Sequence, residues 1–279
     1  MGELVHLGRE HQQSVYDYLA TAPIENVMMM GQILEEGISL SPYREFVGVR
    51  EDGAWGAVAY FSGDISLYAT SPEAIDTLAR YALRRVPIVP RIIGRKDMVD
   101  RFWQTFRDAP YPLLFDRHQL VYVLGREGLR AEPEPNVRLA RLDEAERVAE
   151  LASAMSLEEI QLDPLKEHPL SYLRLVQQRI RQKRYYVLEE DGEIKFQVHL
   201  NAVTPYCGQV TGVYTPPPYR RQGYAKRGMG EFCRQVLQRV PTMSLFVNDF
   251  NEAAIRLYEG IGFTRTLEYR AVFLDTGRI

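Results

Sequence analysis

Between Glu193 and Val203, apolar Phe196, Val198 and Leu200 alternate with polar Lys195, Gln197, His199 and Asn201, the two-residue period of a strand with one apolar and one polar face. Strand-like runs at Arg184 to Glu190 and Tyr206 to Thr215 flank it, and Asp191-Gly192 supplies a hairpin turn, so the three predict an antiparallel meander. Ahead of it, Val137 to Leu142 reads as a short strand, Asp143 as the cap of a helix reaching about Ser156, and Leu170 to Gln182 as a second helix. After it come a helix at about Gly223 to Arg239, a strand at Met243 to Val247, a helix at Glu252 to Gly260 and a strand at Tyr269 to Leu274. The order is βααβββαβαβ.

The same order is legible upstream. A strand at Leu4 to Leu7 precedes helices at Glu10 to Ala20 and Ile24 to Glu36, then strands at Phe46 to Arg50, Ala54 to Phe61 and Ile65 to Ala69. Helix Ser71 to Arg85, strand Pro87 to Ile93, helix Lys96 to Arg107 and strand Gln119 to Leu124 complete the set, with Asn26 to Met30 read as helix core. Between the two sets, Arg126 to Asn136 combines two prolines with alternating charges and offers no apolar face. The chain is therefore expected to hold two domains of one plan, residues 1–125 and 137–279, joined by a linker at 126–136. The fold class is α/β of the α+β type, each domain a central, mostly antiparallel sheet flanked by helices.

Composition narrows the partners. Hydrophobic residues make up 46% and charged residues 25%, the balance of a globular chain that folds by burial. The net charge of −3 gives no global attraction to nucleic acid or to an anionic membrane, so any basic site must be local. Cys207 and Cys233 lack a C-x-x-C partner, which points away from zinc and disulfide frameworks and toward a reducing cytoplasm. Glu3, His6 and Arg9 interrupt the apolar run a signal peptide needs, and the uncharged stretch Phe196 to Tyr219 is too polar and proline-rich for a membrane span. No metal-ligand spacing or nucleophilic triad pattern is present, and no metal is expected.

The local basic site follows the meander. From Tyr219 to Arg239 six arginines and lysines face one acid, Glu231, and Gly223 opens a helix whose first N–H groups have no helical acceptor. With the helix dipole, that is a place for a diphosphate. Read separately, Gly223 is equally a turn residue and the charges a solvated helix face.

The order βααβββαβαβ, with Arg220-Arg221-Gln222-Gly223-Tyr224-Ala225 after the third meander strand, resembles the GNAT acetyltransferase superfamily, whose phosphate signature is Arg/Gln-x-x-Gly-x-Gly/Ala. Downstream, Asn251 followed seven residues later by Tyr258 and then Gly262-Phe263 resembles its second signature. The whole chain is similar to a bacterial subset with an extra GNAT-like N-terminal domain. The resemblance implies acetyl-CoA as acyl donor, bound by Val213, Tyr214, Thr215, Arg220, Arg221, Gln222, Gly223, Tyr224, Ala225, Lys226, Asn251 and Tyr258. It implies that the pantetheine arm pairs along the strand of Val213 and Thr215, the Val213 N–H stabilising the oxyanion. Tyr258 is then the general acid toward the leaving thiolate, though a buried packing tyrosine fits the same position, as a helix cap fits Asn251.

A general base must also lie near the thioester. If the polar face of Glu193 to Val203 lines the cleft, His199 is the best-placed titratable candidate, with a structural histidine as its alternative. The first half lacks both signatures, since Ala69-Thr70-Ser71-Pro72 stands where a phosphate loop should be. The expected activity is direct acetyl transfer to a primary amine of a small molecule or peptide. The alternative is a module that binds acetyl-CoA without catalysis.

Overall fold

The computed structural model describes residues 2–39, 44–85 and 91–275. In chain order the first elements are β1 (Glu3–His6), α1 (Gln12–Leu19), α2 (Val27–Glu36), β2 (Glu45–Glu51), β3 (Ala54–Phe61) and β4 (Asp64–Ala69). Next come α3 (Pro72–Arg85), β5 (Arg91–Arg95), α4 (Lys96–Phe106) and β6 (Leu113–Gly125). Then follow β7 (Val137–Leu139), α5 (Ala145–Ile160), α6 (Pro164–Glu167), α7 (Pro169–Arg181), β8 (Tyr185–Glu190), β9 (Glu193–Val203) and β10 (Cys207–Tyr214). The last are α8 (Tyr224–Val236), β11 (Thr242–Asn248), α9 (Glu252–Ile261) and β12 (Thr264–Leu274). The strand expected from Pro87 starts at Arg91, residues 86–90 lying outside the described residues.

The chain divides into two compact units. The first comprises the chain up to Val121, Phe246–Asn251 and the chain from Arg265; the second comprises Tyr122–Leu245 and Glu252–Thr264. The stretch 126–136 is held within the second unit, where the Arg126 guanidinium donates to the Leu237 carbonyl at 2.7 Å and the Arg130 N–H to that of Ile261 at 2.7 Å.

In the first unit β1 to β4 form an antiparallel meander, β5 adds in parallel to β4, and Tyr269 to Phe273 of β12 pair antiparallel with β5. The core gathers Leu7, Leu19, Met30, Phe46, Val58, Leu78 and Phe102, all fully or almost fully buried. Met29 and Met30 lie inside it, filling space between α2 and the sheet as unbranched side chains do.

In the second unit the order β11-β10-β9-β8-β7 repeats this plan, with β10 and β11 parallel and the other neighbours antiparallel. The helix α8 packs on one face, bringing Phe232 against Tyr186 at 4.9 Å between ring centroids. On the other face Ala145, Val148 and Ala149 of α5 and Val176 and Ile180 of α7 close over Tyr185 and Val187. Asp143 does not cap α5. The longer Glu144 reaches back to the Arg141 N–H at 2.7 Å while holding Arg138 at 2.6 Å, so a short turn over Leu142–Glu144 starts the helix. The unforeseen α6 is capped by Asp163, whose carboxylate accepts from the Lys166 N–H at 3.1 Å and the Ser153 hydroxyl at 2.6 Å.

Candidate active site

The centre of the second unit is an irregularity in β10. Its parallel ladder with β11 runs from Cys207 opposite Thr242 to Val210 opposite Leu245 and stops there. Beyond that point β10 continues along β9, with Thr211 opposite His199 and Tyr214 opposite Gln197. Three steps on β10 thus match two on β9, a bulge at Gly212 and Val213 that takes the extra peptide out of the ladder. Gly212 has φ +67°, a left-handed conformation that a side chain strains to adopt. Val213 and Thr215 are half-buried, and the buried Tyr214 donates its hydroxyl to Glu158 of α5 at 2.8 Å.

The strand leads into the basic loop. Arg221 (φ +62°) and Gly223 (φ +85°) are both left-handed, and a β-carbon on Gly223 meets no atom within 4 Å, so the turn needs its glycine for conformation and leaves open space in front. The Arg227 N–H is bonded to the Gly223 carbonyl at 3.0 Å, so the N–H groups of Tyr224, Ala225 and Lys226 precede the first helical acceptor of α8. Arg221, Gln222 and Lys226 are exposed, and among the described residues Arg221 and Lys226 form no ion pair.

Other side chains named from the motif have partners within the protein. Arg220 turns back to Glu158 at 2.7 Å and to the Thr215 carbonyl at 2.9 Å. Gln222 braces the loop by donating to the Pro218 carbonyl at 2.9 Å. The Tyr224 hydroxyl donates to Glu190 at 3.0 Å, and Arg227 is tied to Glu190 at 2.9 Å and to Glu134. Burial opposes ionisation of Glu158, but its bonds from Arg220 and Tyr214 outweigh that and hold its pKa below the usual carboxylate range.

Tyr258 lies on α9 with 6% of its surface exposed, its carbonyl accepting from the N–H groups of Gly262 and Phe263 at 3.1 and 3.0 Å. Burial pushes its phenol pKa up, and the negative charge of Glu159 adds to the shift, followed by Cys233. The phenol therefore keeps its proton at neutral pH. Sequence reasoning overlooked Glu159. It makes no ion pair or hydrogen bond among the described residues, and desolvation followed by the repulsion of Glu158 raises its carboxyl pKa although the residue reaches solvent. The adjacent acids at the end of α5 were the available signal. Asn251 immediately precedes α9, its N–H bonded to the Asn248 carbonyl at 2.9 Å.

His199 does not line an open cleft, and this corrects its assignment as base. It is 5% exposed, its ring stacked on Tyr185 at 4.3 Å, with Nε2 3.0 Å from Arg179 of α7. Burial, then Arg179 and Arg184, drive its pKa well below the usual imidazole value. A guanidinium only donates, so Nε2 must accept, the proton sits on Nδ1, and protonation would place two cations in contact. Gln197, two residues back on the same face, is fully buried, and neither atom of its amide has a partner among the described residues.

The corresponding turn of the first unit is closed. The N–H groups of Thr70 and Ser71 both donate to the Gly56 carbonyl, at 2.9 and 3.2 Å, so they are not offered to an anion. A shallow cleft of that unit, lined by Arg95, Lys96, Asp97 and Asp100, is neutralised internally, Arg95 bonding Asp97 and Lys96 bonding Asp100 at 2.6 Å. Among the described residues no cluster suits a metal ion and no helix is long and apolar enough to cross a membrane.

Residues 151–263 match the family model described as the acetyltransferase (GNAT) family, and residues 44–148 match one described as a domain of unknown function, DUF4081. None of the curated proteins matches the sequence. Among solved structures, a GCN5-related N-acetyltransferase from Sphaerobacter thermophilus superposes with a TM-score of 0.65 at 16% identity, over 97% of this chain and 94% of its own. A GNAT-family acetyltransferase from Colwellia psychrerythraea gives 0.62 at 12% identity, over 98% and 99%. A tandem GNAT protein from the clavulanic acid biosynthesis pathway gives 0.54 at 12% identity over the whole of both chains. At such identities the superpositions show a shared fold alone. The match to the GNAT acetyltransferase family is confined to residues 151–263, and the fold of the chain is that of GNAT proteins, tandem ones included. Acetyl-CoA is the general acyl donor of that family.

Proposed function

We propose that the second unit is an acetyl-CoA-dependent N-acetyltransferase that moves the acetyl group directly to a primary amine of a small molecule or peptide. The observation that carries this reading is the sequence of an unladdered β10 edge, a left-handed basic loop and a helix N-terminus with free amides. The amides of Tyr224 to Lys226 with Arg221 and Lys226 supply the charge for a diphosphate, and the strand beyond Val210 supplies a backbone edge for an amide-bearing arm. Asn251 and the backbone of Val213 to Thr215 are assigned to the coenzyme by their motif.

In the reaction, Glu159 takes a proton from the acceptor ammonium, and the neutral amine attacks the thioester carbonyl, whose oxygen charge the Val213 N–H stabilises. The C–N bond forms, the C–S bond breaks, and Tyr258 donates its proton to the thiolate. The proton lost by the new amide nitrogen restores the phenol, and Glu159 releases its own to solvent. A screen of primary amines with acetyl-CoA, read as released thiol, tests this. Acetyl-CoA binding without thiol release from any amine favours a non-catalytic binding module.

A further inference from the structure

We propose that His199 is a positioning residue: a permanently neutral strut that, backed by Arg179, shapes the Gly212 bulge and so aims the Val213 N–H. The proposal rests on the reading of Val213 as a thioester contact. Its basis is a set of geometric constraints around one ring. Thr211 is the register partner of His199, and the bulge starts at the next residue. A β-carbon placed on Gly212 would lie 2.3 Å from His199 Nδ1, so the imidazole fills the volume that any other residue at 212 would need. Glycine at φ +67° and histidine opposite are therefore a matched pair, and the ring sets how far the bulged peptide can fall back toward the sheet.

The ring itself cannot move far. Tyr185 stacks on it from β8, Arg179 closes Nε2 from α7, and Arg184 donates to the Asn201 carbonyl at 3.0 Å beside it. The charged groups acting on the ring are the guanidiniums of Arg179 and Arg184. Nδ1 has no hydrogen-bond partner among the described residues, so its proton points at the bulge with no acceptor to draw the ring elsewhere. The Arg179 side chain also reaches Asn201 at 3.4 Å, linking the strut to the next polar position of β9.

Two measurements on the full chain test this without an acceptor. Imidazole nitrogen–proton correlation spectra recorded from pH 5 to 8 should show His199 as the Nδ1–H neutral tautomer throughout. Titration within that range, or an Nε2–H tautomer, overturns the proposal. Calorimetry with acetyl-CoA and with CoA then reads the thioester contact. Wild type should prefer acetyl-CoA, and His199→Ala should lose about fivefold of that preference, the value of one net hydrogen bond, with CoA affinity unchanged. His199→Asn, which keeps a polar group facing Gly212, should recover part of the preference. Equal preference in wild type and His199→Ala, or no preference in wild type, overturns the positioning role. If wild type binds neither ligand, the coenzyme reading itself fails.

Discussion

Burial of a neutral histidine beside an arginine makes the second unit acid-sensitive. The His199 pKa lies well below its ordinary 6.5 in the folded state, with burial the main cause, whereas the unfolded chain binds a proton there normally. Below pH 6.5 the unfolded state therefore holds more protons than the folded one, and stability is lost as pH falls; above it the contribution is complete. At about 1.4 kcal/mol per pH unit, the stretch from 6.5 to 5 costs at most about 2 kcal/mol. The assay is native-state hydrogen exchange at the paired amides of β8 and β9, corrected for intrinsic rates, at pH 7 and pH 5 in wild type and His199→Gln. Because every other ionisable group is common to both proteins, the difference between their two pH responses isolates this residue. Wild type should lose more opening free energy than the variant, up to about 2 kcal/mol. Equal responses would refute the neutral, cation-flanked histidine.

Tyr258→Phe keeps the ring and removes the proton donor, so turnover should fall about 10²–10⁴-fold with acetyl-CoA affinity unchanged, as measured by thiol release and calorimetry. For Glu159→Gln, kcat/KM at neutral pH should fall by about the same factor. The wild-type acid limb, lost as pH drops through the raised carboxyl pKa, should be replaced by a rate that climbs toward the acceptor amine's own pKa. In Gly223→Val the new β-carbon meets no atom within 4 Å, but the residue is strained at φ +85° and its side chain enters the space before α8. Acetyl-CoA affinity should drop about tenfold or more while the folded spectrum persists, and unchanged affinity would remove the phosphate site.

The element order was readable because alternation and turn chemistry are local. Asp191 and Gly192 adopt φ values of +57° and +76°, the left-handed pair that a tight hairpin demands, and β9 runs over the residues its alternation marks. Gly223 was readable for the same reason. Strand lengths in β6 and β12 were not, because charged positions hide their pattern. Arg270 bonds Asp116 at 2.6 Å and His118 lies 3.1 Å from Glu268, pairs visible only once the two strands lie side by side.

The same limit explains the site. Alternation assigns His199 to a polar face but cannot say that Arg179 and Tyr185 cover it, so the face looked open where it is sealed. The role of Glu159 depends on Tyr258, 99 positions later in the sequence, and the pairing of β5 with the chain's last strand likewise lies beyond any local pattern.

Titration of the nitrogen-15-labelled 279-residue chain with acetyl-CoA, followed by backbone amide shifts, bears most directly on the central claim of a coenzyme site at the β10 bulge and the α8 N-terminus. The largest shifts should fall at Thr211 to Thr215 and Gln222 to Lys226, saturating together, with Thr70 to Glu73 in the first unit unmoved. Absence of saturable shifts at those two segments, or shifts centred on Thr70 to Glu73 instead, would contradict it.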